Sequence, residues 1–289
     1  MRVAGDRGLK IYGILGYTLG HTVSPAIQNC AFDHYKLRAV YFAFERPPAR
    51  FRFLMRNLKS LLLDGFNITV PYKETVIPYL DRLSPAAKAL GAVNAVKKRG
   101  RLWVGYNTDV DGVLAGLREV LFKPKGKSAV ILGAGGSARA VGFALAKSGV
   151  RQITVANRTR LRAQGLVRNL RNLFPQVSWA QMALSGKSFE QALLQTDLLV
   201  NATKVGLKKN DRSLISWKLF PKRKILVYDL IYNPSMTQLL QLARRLGHQI
   251  VNGETMLLYQ GARAFEIWTA KSAPISKMRK TLHDAIRAH

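Results

Sequence analysis

Residues 128–147 read SAVILGAGGSARAVGFALAK. Ser128 to Leu132 is an apolar run of strand length. Gly133-x-Gly135-x-x-Ala138 follows at once, and from 137 apolar residues recur at helical spacing. Each position in the turn has a physical task. Gly133 permits the tight bend, Gly135 lets a backbone approach a pyrophosphate, and Ala138 allows the helix to pack close to the strand. The helix N-terminus adds free N–H groups and a positive dipole end. A bare glycine pattern is a weak signal. Here it sits between a strand and a helix, where a dinucleotide site needs it.

Downstream, residues 152–156 form a β-branched strand that ends in Asn157-Arg158-Thr159, with Arg160 and Arg162 opening the helix 160–173. Many dinucleotide folds place an acid at this strand end to hold the ribose 2′-hydroxyl. No acid is present, and an acid would repel a 2′-phosphate. Arg158 offers a planar fork for phosphate and a face for adenine, Thr159 a hydroxyl, and Arg162 a second cation on the next turn. The stretch reads as a 2′-phosphate clamp, so the expected cofactor is NADP.

Outward from this unit the same alternation continues. Strands are expected at 11–16, 39–44, 65–70, 197–202 and 225–230, with a hairpin over 91–107 turning at Arg99-Gly100. Helices are expected from the Ser24-Pro25 cap to Tyr35, and over 49–63, 109–121, 235–246 and 253–270, with one more beyond Pro274. Strands alternating with helices argue for an α/β fold of two domains with mostly parallel sheets, one of them Rossmann-like.

Composition bounds the rest. The 289 residues are 48% hydrophobic, enough for a substantial core, and no apolar run reaches the roughly 20 residues that span a bilayer. The N-terminal stretch lacks the pattern of a signal peptide. One cysteine, Cys30, excludes an intrachain disulfide and fits a reducing compartment, so a cytoplasmic location is expected. Lys and Arg total 46 against 16 Asp and Glu, a formal charge of +30. The excess is scattered over short clusters rather than gathered in a tail, which fits a solvated basic surface better than a specific nucleic-acid site. Neither a membrane nor a specific nucleic-acid partner is expected.

Other polar signals lie outside the glycine unit. "GHTVSP" puts the hydroxyls of Thr22 and Ser24 after a strand, suited to a carboxylate. "NITVPYKE" sets Asn67, Thr69 and Lys73 around a strand end, and a lysine serves proton transfer when its surroundings are tuned. "GAVNAV" offers Asn94, and "GYNTDVDG" offers Asn107 and Asp109 at a helix start. Singly, each also has a bland role as a cap, a strand polar residue or a surface charge. Together they look like recognition of hydroxyls and a carboxylate beside a hydride carrier.

With "NATKVGL", "YDLIYNP" and "NGETMLLYQGARAF", these stretches stand in an order that resembles the shikimate dehydrogenase family from about residue 11 to 270. The resemblance implies NADP-dependent, reversible oxidation of shikimate to 3-dehydroshikimate in aromatic amino-acid biosynthesis. It implies a substrate-binding, catalytic domain over 1–108 and 240–289 and an NADP-binding domain over 109–239. It assigns Lys73 and Asp109 to catalysis. Thr22, Ser24, Asn67, Thr69, Asn94, Tyr232 and Gln260 go to the substrate. The cofactor takes Gly133, Ala134, Gly135, Gly136, Ser137, Ala138, Asn157, Arg158, Thr159, Arg162, Asn201, Ala202, Thr203 and Gly253. No metal is implied, and the oligomer is a monomer or homodimer. One departure is visible: Thr22 stands where the family commonly has Ser, and its methyl bears on substrate size, with quinate the nearby alternative. Two rivals come from other classes. A glutamyl-transfer-RNA reductase needs an activated thiol, and Cys30 in "IQNCAF" has no nearby base. A catalytically silent NADP-binding regulator with polyanion affinity is opposed by the intact Lys73 and Asp109.

Overall fold

The computed structural model describes residues 8–20, 22–208 and 210–288. His21, inside the GHTVSP stretch, lies outside them. The chain divides into two compact units, 1–108 with 258–289, and 109–257.

The first unit contains β1 (Lys10–Gly16), α1 (Ser24–His34), β2 (Ala39–Glu45), α2 (Pro48–Arg56), β3 (Gly65–Ile68), β4 (Arg82–Leu83), α3 (Pro85–Leu90), β5 (Ala95–Arg99) and β6 (Leu102–Tyr106). Its sheet runs β2-β1-β3-β5-β6-β4. The pairs β1/β2, β1/β3 and β4/β6 are parallel, whereas β3/β5 and β5/β6 are antiparallel. The hairpin turns where expected. Arg99 pairs with Leu102, and Gly100 takes a φ of 61° that a β-branched residue would resist. One face of this sheet buries Leu15, Phe66, Val96 and Trp103 against Phe51, Met55 and Leu58.

The second unit contains α4 (Asp109–Glu119), β7 (Ser128–Leu132), α5 (Gly136–Lys147), β8 (Gln152–Ala156), α6 (Arg160–Leu173), β9 (Ser178–Met182), α7 (Lys187–Leu194), β10 (Leu198–Asn201), β11 (Leu226–Asp229), α8 (Gln238–Arg245) and β12 (Gln249–Val251). Its strands run β12-β11-β10-β7-β8-β9, and every pairing is parallel. β7, β8, β10 and β11 are almost wholly buried, as expected of inner strands of a parallel sheet.

The chain returns to the first unit within α9 (Glu254–Thr269), and α10 (Ile275–Arg287) follows. Trp268 shows why the later part of α9 belongs there. It stacks on Tyr12 at 5.0 Å and donates its indole N–H to the Val96 carbonyl.

Several expectations shift. Residues 240–257, assigned to the first domain, sit in the second unit because β12 pairs with β11 and extends its sheet. The helix expected over 49–63 stops at Arg56, with a separate 3-10 turn at Leu58–Ser60. β3 ends at Ile68, two residues earlier than expected. Val23 rather than Ser24 is the N-cap of α1, without a side-chain bond, which leaves Ser24 as the first helical residue. β4, α3, β9, α7 and β12 had no counterpart among the expected elements.

Candidate active site

In the first unit the polar residues singled out from sequence form two groups. Thr22 and Ser24 stand at the N-terminal end of α1. The Thr22 N–H donates to Leu19 O at 2.9 Å, and the Ser24 N–H makes a long 3.4 Å approach to Thr22 Oγ1. With no side chain capping α1, two hydroxyls and the helix N-terminus are available to a carboxylate.

The second group is a buried amide network. Asn94, 2% exposed, accepts the Thr108 backbone N–H on Oδ1 at 2.7 Å. A main-chain donor can only face an oxygen, so this bond sets the amide's orientation. The Asn94 Nδ2 then donates to Thr108 Oγ1 at 2.9 Å and to Gln260 Oε1 at 3.3 Å. The Thr108 hydroxyl donates a hydrogen bond to the Gln260 main-chain carbonyl at 2.9 Å. Asn67 donates through Nδ2 to the Asn94 carbonyl at 2.9 Å and accepts from the Tyr41 hydroxyl at 2.7 Å. Asn67, Asn94 and Gln260, distant in sequence, thus belong to one set. Thr108 and Tyr41 were missed. Thr108 lies between two flagged residues in "NTD" and could have been found, whereas Tyr41 is one aromatic among many in a strand.

Lys73 is half-buried in the turn that follows β3. Its carbonyl accepts the Val93 N–H at 2.8 Å, and its neighbour Tyr72 stacks on Phe51 at 3.9 Å while donating to the Arg46 carbonyl. The backbone at Lys73 is therefore held from both sides. Thr69 sits half-buried one residue beyond β3, its N–H bonded to Leu15 O at 2.9 Å.

In the second unit Asp109 opens α4 and is 3% exposed, following directly on Thr108. A helix's first turn is where an acidic side chain is stabilised. The glycine turn has the form its sequence implies. Gly133 takes a φ of 107° and lies so near the Ala202 carbonyl that a Cβ would come within 3.0 Å of it. Gly135 is the N-cap of α5, with no side-chain capping bond and nothing within 4 Å of where a Cβ would stand. Ala138 is wholly buried against the strand layer. At the end of β8, the Asn157 side chain donates to the Thr159 carbonyl at 2.9 Å and folds the turn. Thr159 caps α6 through its backbone alone, no acid lies in the first turn, and Arg158, Thr159 and Arg162 are all exposed. Among the described residues neither arginine makes an ion pair.

Asn201 ends β10. The Asn201 side chain is consumed internally. Its Nδ2 donates to Val205 O and to Asp229 Oδ1, both at 3.0 Å, and its Oδ1 accepts from the Thr203 hydroxyl at 2.7 Å. Asn201 shapes the loop that carries Ala202 and Thr203. Burial pushes the Asp229 carboxyl above the usual carboxylate range, against hydrogen bonds from Thr237, the Ile231 N–H and Asn201. Tyr232, three residues on, is half-buried, and burial likewise raises its phenol. Gly253 is required sterically, because a Cβ there would collide with the Leu230 carbonyl.

The geometry fits a dinucleotide bearing an extra phosphate. Open space at Gly135, helix N-termini without side-chain capping bonds at α5 and α6, and the exposed guanidiniums of Arg158 and Arg162 are features that anionic groups can use.

Known proteins agree with this architecture. Residues 14–96 match the shikimate dehydrogenase substrate binding domain, 117–217 match shikimate / quinate 5-dehydrogenase, and 253–283 match the shikimate 5'-dehydrogenase C-terminal domain. A curated shikimate dehydrogenase (NADP(+)) of Methanopyrus kandleri is 41% identical over 288 residues, 99% of either chain. The chain belongs to the shikimate dehydrogenase family.

Two solved family folds bear on the cofactor. Shikimate 5-dehydrogenase from Thermus thermophilus, in complex with NADP(H) and shikimate, superposes with a TM-score of 0.84 at 34% identity, covering 96% of this chain and 99% of that one. A quinate dehydrogenase from Corynebacterium glutamicum in complex with NAD gives 0.86 at 31%, covering 95% and 99%. The substrate-domain match contains Thr22, Ser24, Asn67, Thr69, Lys73 and Asn94. The central match contains the glycine turn and the Asn157–Arg162 stretch, and the C-terminal match contains Gln260.

Proposed function

We propose that this chain catalyses the reversible, NADP-dependent oxidation of shikimate to 3-dehydroshikimate, a step toward aromatic amino acids. The observation that carries the cofactor choice is the β8 end, where Arg158 and Arg162 stand exposed and no acid competes for them. The substrate follows from family membership and from a network that can present amide donors and acceptors to ring hydroxyls.

Gly133 to Ala138 and the α5 N-terminus would hold the pyrophosphate of the cofactor, and Arg158, Thr159 and Arg162 its 2′-phosphate. Ala202, Thr203 and Gly253 would supply close backbone approach. The residues that would hold NADP⁺ would thereby supply a nicotinamide able to take up a hydride from the carbinol carbon. The protein's own work is to orient the alcohol and move its proton. Thr22 and Ser24 hold the ring carboxylate at the α1 N-terminus. Asn67, Thr69, Asn94 and Gln260 fix the ring hydroxyls, and Tyr232 is a further substrate-binding residue. Lys73 and Asp109 are the residues assigned to moving the hydroxyl proton, with the lysine supporting negative charge on oxygen as the carbonyl forms. Residues 1–108 and 258–289 are the substrate-binding part in this reading, and 109–257 the NADP-binding part. The protein works in the cytoplasm as a monomer or homodimer, on a small molecule and without a specific nucleic-acid partner. Among the described residues no helix is long and apolar enough to cross a membrane.

Quinate is a second reading, favoured by the close superposition on a quinate dehydrogenase. Its extra hydroxyl requires room that the Thr22 methyl reduces. The test is absorbance of reduced nicotinamide with each pairing of shikimate or quinate and NADP⁺ or NAD⁺. Turnover confined to shikimate with NADP⁺ is expected. Faster turnover of quinate would assign the chain to that substrate, and no turnover with either would leave the silent regulator.

A further inference from the structure

Asn67 is 5% exposed and is held by two different kinds of partner. Its Nδ2 faces the Asn94 main-chain carbonyl at 2.9 Å, a group that can only accept. The amide therefore cannot be turned around, and Oδ1 must face the Tyr41 hydroxyl at 2.7 Å, which must donate. Among the described residues the second N–H of Asn67 has no partner, and an amide oxygen retains a second lone pair. One donor and one acceptor thus remain, fixed relative to each other and to Asn94.

Tyr41 is itself immobilised. It is 1% exposed, and its ring packs on Trp268 at 5.9 Å. Its main chain is gripped by Asn29 of α1. The Tyr41 N–H donates to Asn29 Oδ1 at 2.8 Å, and the Asn29 Nδ2 donates to Tyr41 O at 3.1 Å. Burial raises the phenol well above its ordinary value, so the hydroxyl keeps its proton and remains a donor. A hydroxyl that keeps its proton, on a buried and packed ring, thus fixes where Asn67 Oδ1 lies, while the Asn94 carbonyl fixes which end of the amide carries it.

We propose that Tyr41 is a positioning residue that, without touching substrate, supplies the second anchor of the Asn67 amide, holding its plane where the Asn94 carbonyl alone would let it swing, and so sets which ring hydroxyl pattern the site accepts. The proposal rests on the shikimate reading above. Without the Tyr41 hydroxyl, Asn67 Oδ1 is a buried acceptor with no donor. Held by the Asn94 carbonyl alone, the amide swings about that one bond and no longer offers its free N–H and lone pair in fixed directions.

Tyr41→Phe removes one oxygen and keeps the ring on Trp268. The expected result is a rise in KM for shikimate of about 3- to 10-fold, the span of one net hydrogen bond, with kcat within about 2-fold and KM for NADP⁺ unchanged. Discrimination against a shikimate analogue lacking one ring hydroxyl should shrink by a similar factor. A double-mutant cycle separates positioning from general loosening. Placed on Asn67→Ala, the Tyr41→Phe change should add little to KM, because the amide it orients is gone. An equal KM increase in both backgrounds would overturn the proposal, as would wild-type KM and selectivity in Tyr41→Phe. Melting temperature is read on all four proteins, and a loss of kcat that tracks a loss of melting temperature also counts against positioning. Failure of the wild-type protein to oxidise shikimate would be a different result, overturning the functional reading itself.

Discussion

Arg158 and Lys73 are two cations among 46, and their surroundings distinguish them. Arg158 stands at a strand end with an uncapped helix behind it and no acid within its helix's first turn. Arg158→Ala should weaken NADP⁺ binding by about ten- to a hundredfold, the effect of losing one charge-assisted phosphate contact, while NAD⁺ binding barely moves. Titration of both cofactors checks this, and equal weakening would make Arg158 a structural residue. Lys73 lies in a turn whose backbone is held by Val93 and whose neighbour Tyr72 is stacked and hydrogen-bonded. Its side chain can therefore be changed without unseating the turn. Lys73→Met should lower kcat by at least about a hundredfold, the lower end of acid–base contributions, with NADP⁺ affinity and melting temperature nearly unchanged. A variant that keeps most of its kcat would return Lys73 to the solvated surface.

The strand–turn–helix element β7-α5 contains two glycines with different physical needs. Gly133 has a left-handed backbone and a carbonyl pressed against it, so Gly133→Ala should destabilise the fold by roughly 1–3 kcal/mol. Gly135 has an extended backbone and open space where a side chain would stand. Gly135→Ser therefore folds normally, and its hydroxyl supplies a better helix cap, yet the side chain occupies the phosphate's approach. Expected are an unchanged or slightly raised melting temperature and a loss of NADP⁺ affinity. Thermal unfolding beside cofactor titration tests the contrast, which reverses if Gly135 is the structural position. This element was legible in sequence because a strand, a glycine turn and a helix occur in unbroken succession. β9 and β12 were not. "SWAQM" mixes polar and apolar residues at a sheet edge, and "QIV" is too short to carry a period. The site divides the same way. Asn67, Asn94 and Gln260 could be named from their motifs, but their shared network depends on chain returns that no local pattern encodes. Asn201 adds a detail its motif did not announce: its side chain bonds to Val205, Asp229 and Thr203.

At the scale of the molecule a formal charge of +30 dominates. Such a surface should retard duplex DNA at low ionic strength, with binding that is indifferent to sequence and lost by about 0.2 M salt as counterion release fades. Shikimate turnover should fall far less over the same series, since a compact site neutralises few charges. Tight, salt-insensitive, sequence-selective retention would instead support a nucleic-acid role. A surface that repels its own copies still has sheet edges, where backbone rather than charge decides association. β2 is the edge strand of the first sheet, and it carries the exposed ring of Phe42. At its centre the outward N–H and C=O of Tyr41 are both taken by the Asn29 amide. One side chain thus stands in for a missing neighbour strand. A second copy sliding along β2 would find no free rung at Tyr41, so the grip that steadies this residue also blunts this edge of the sheet.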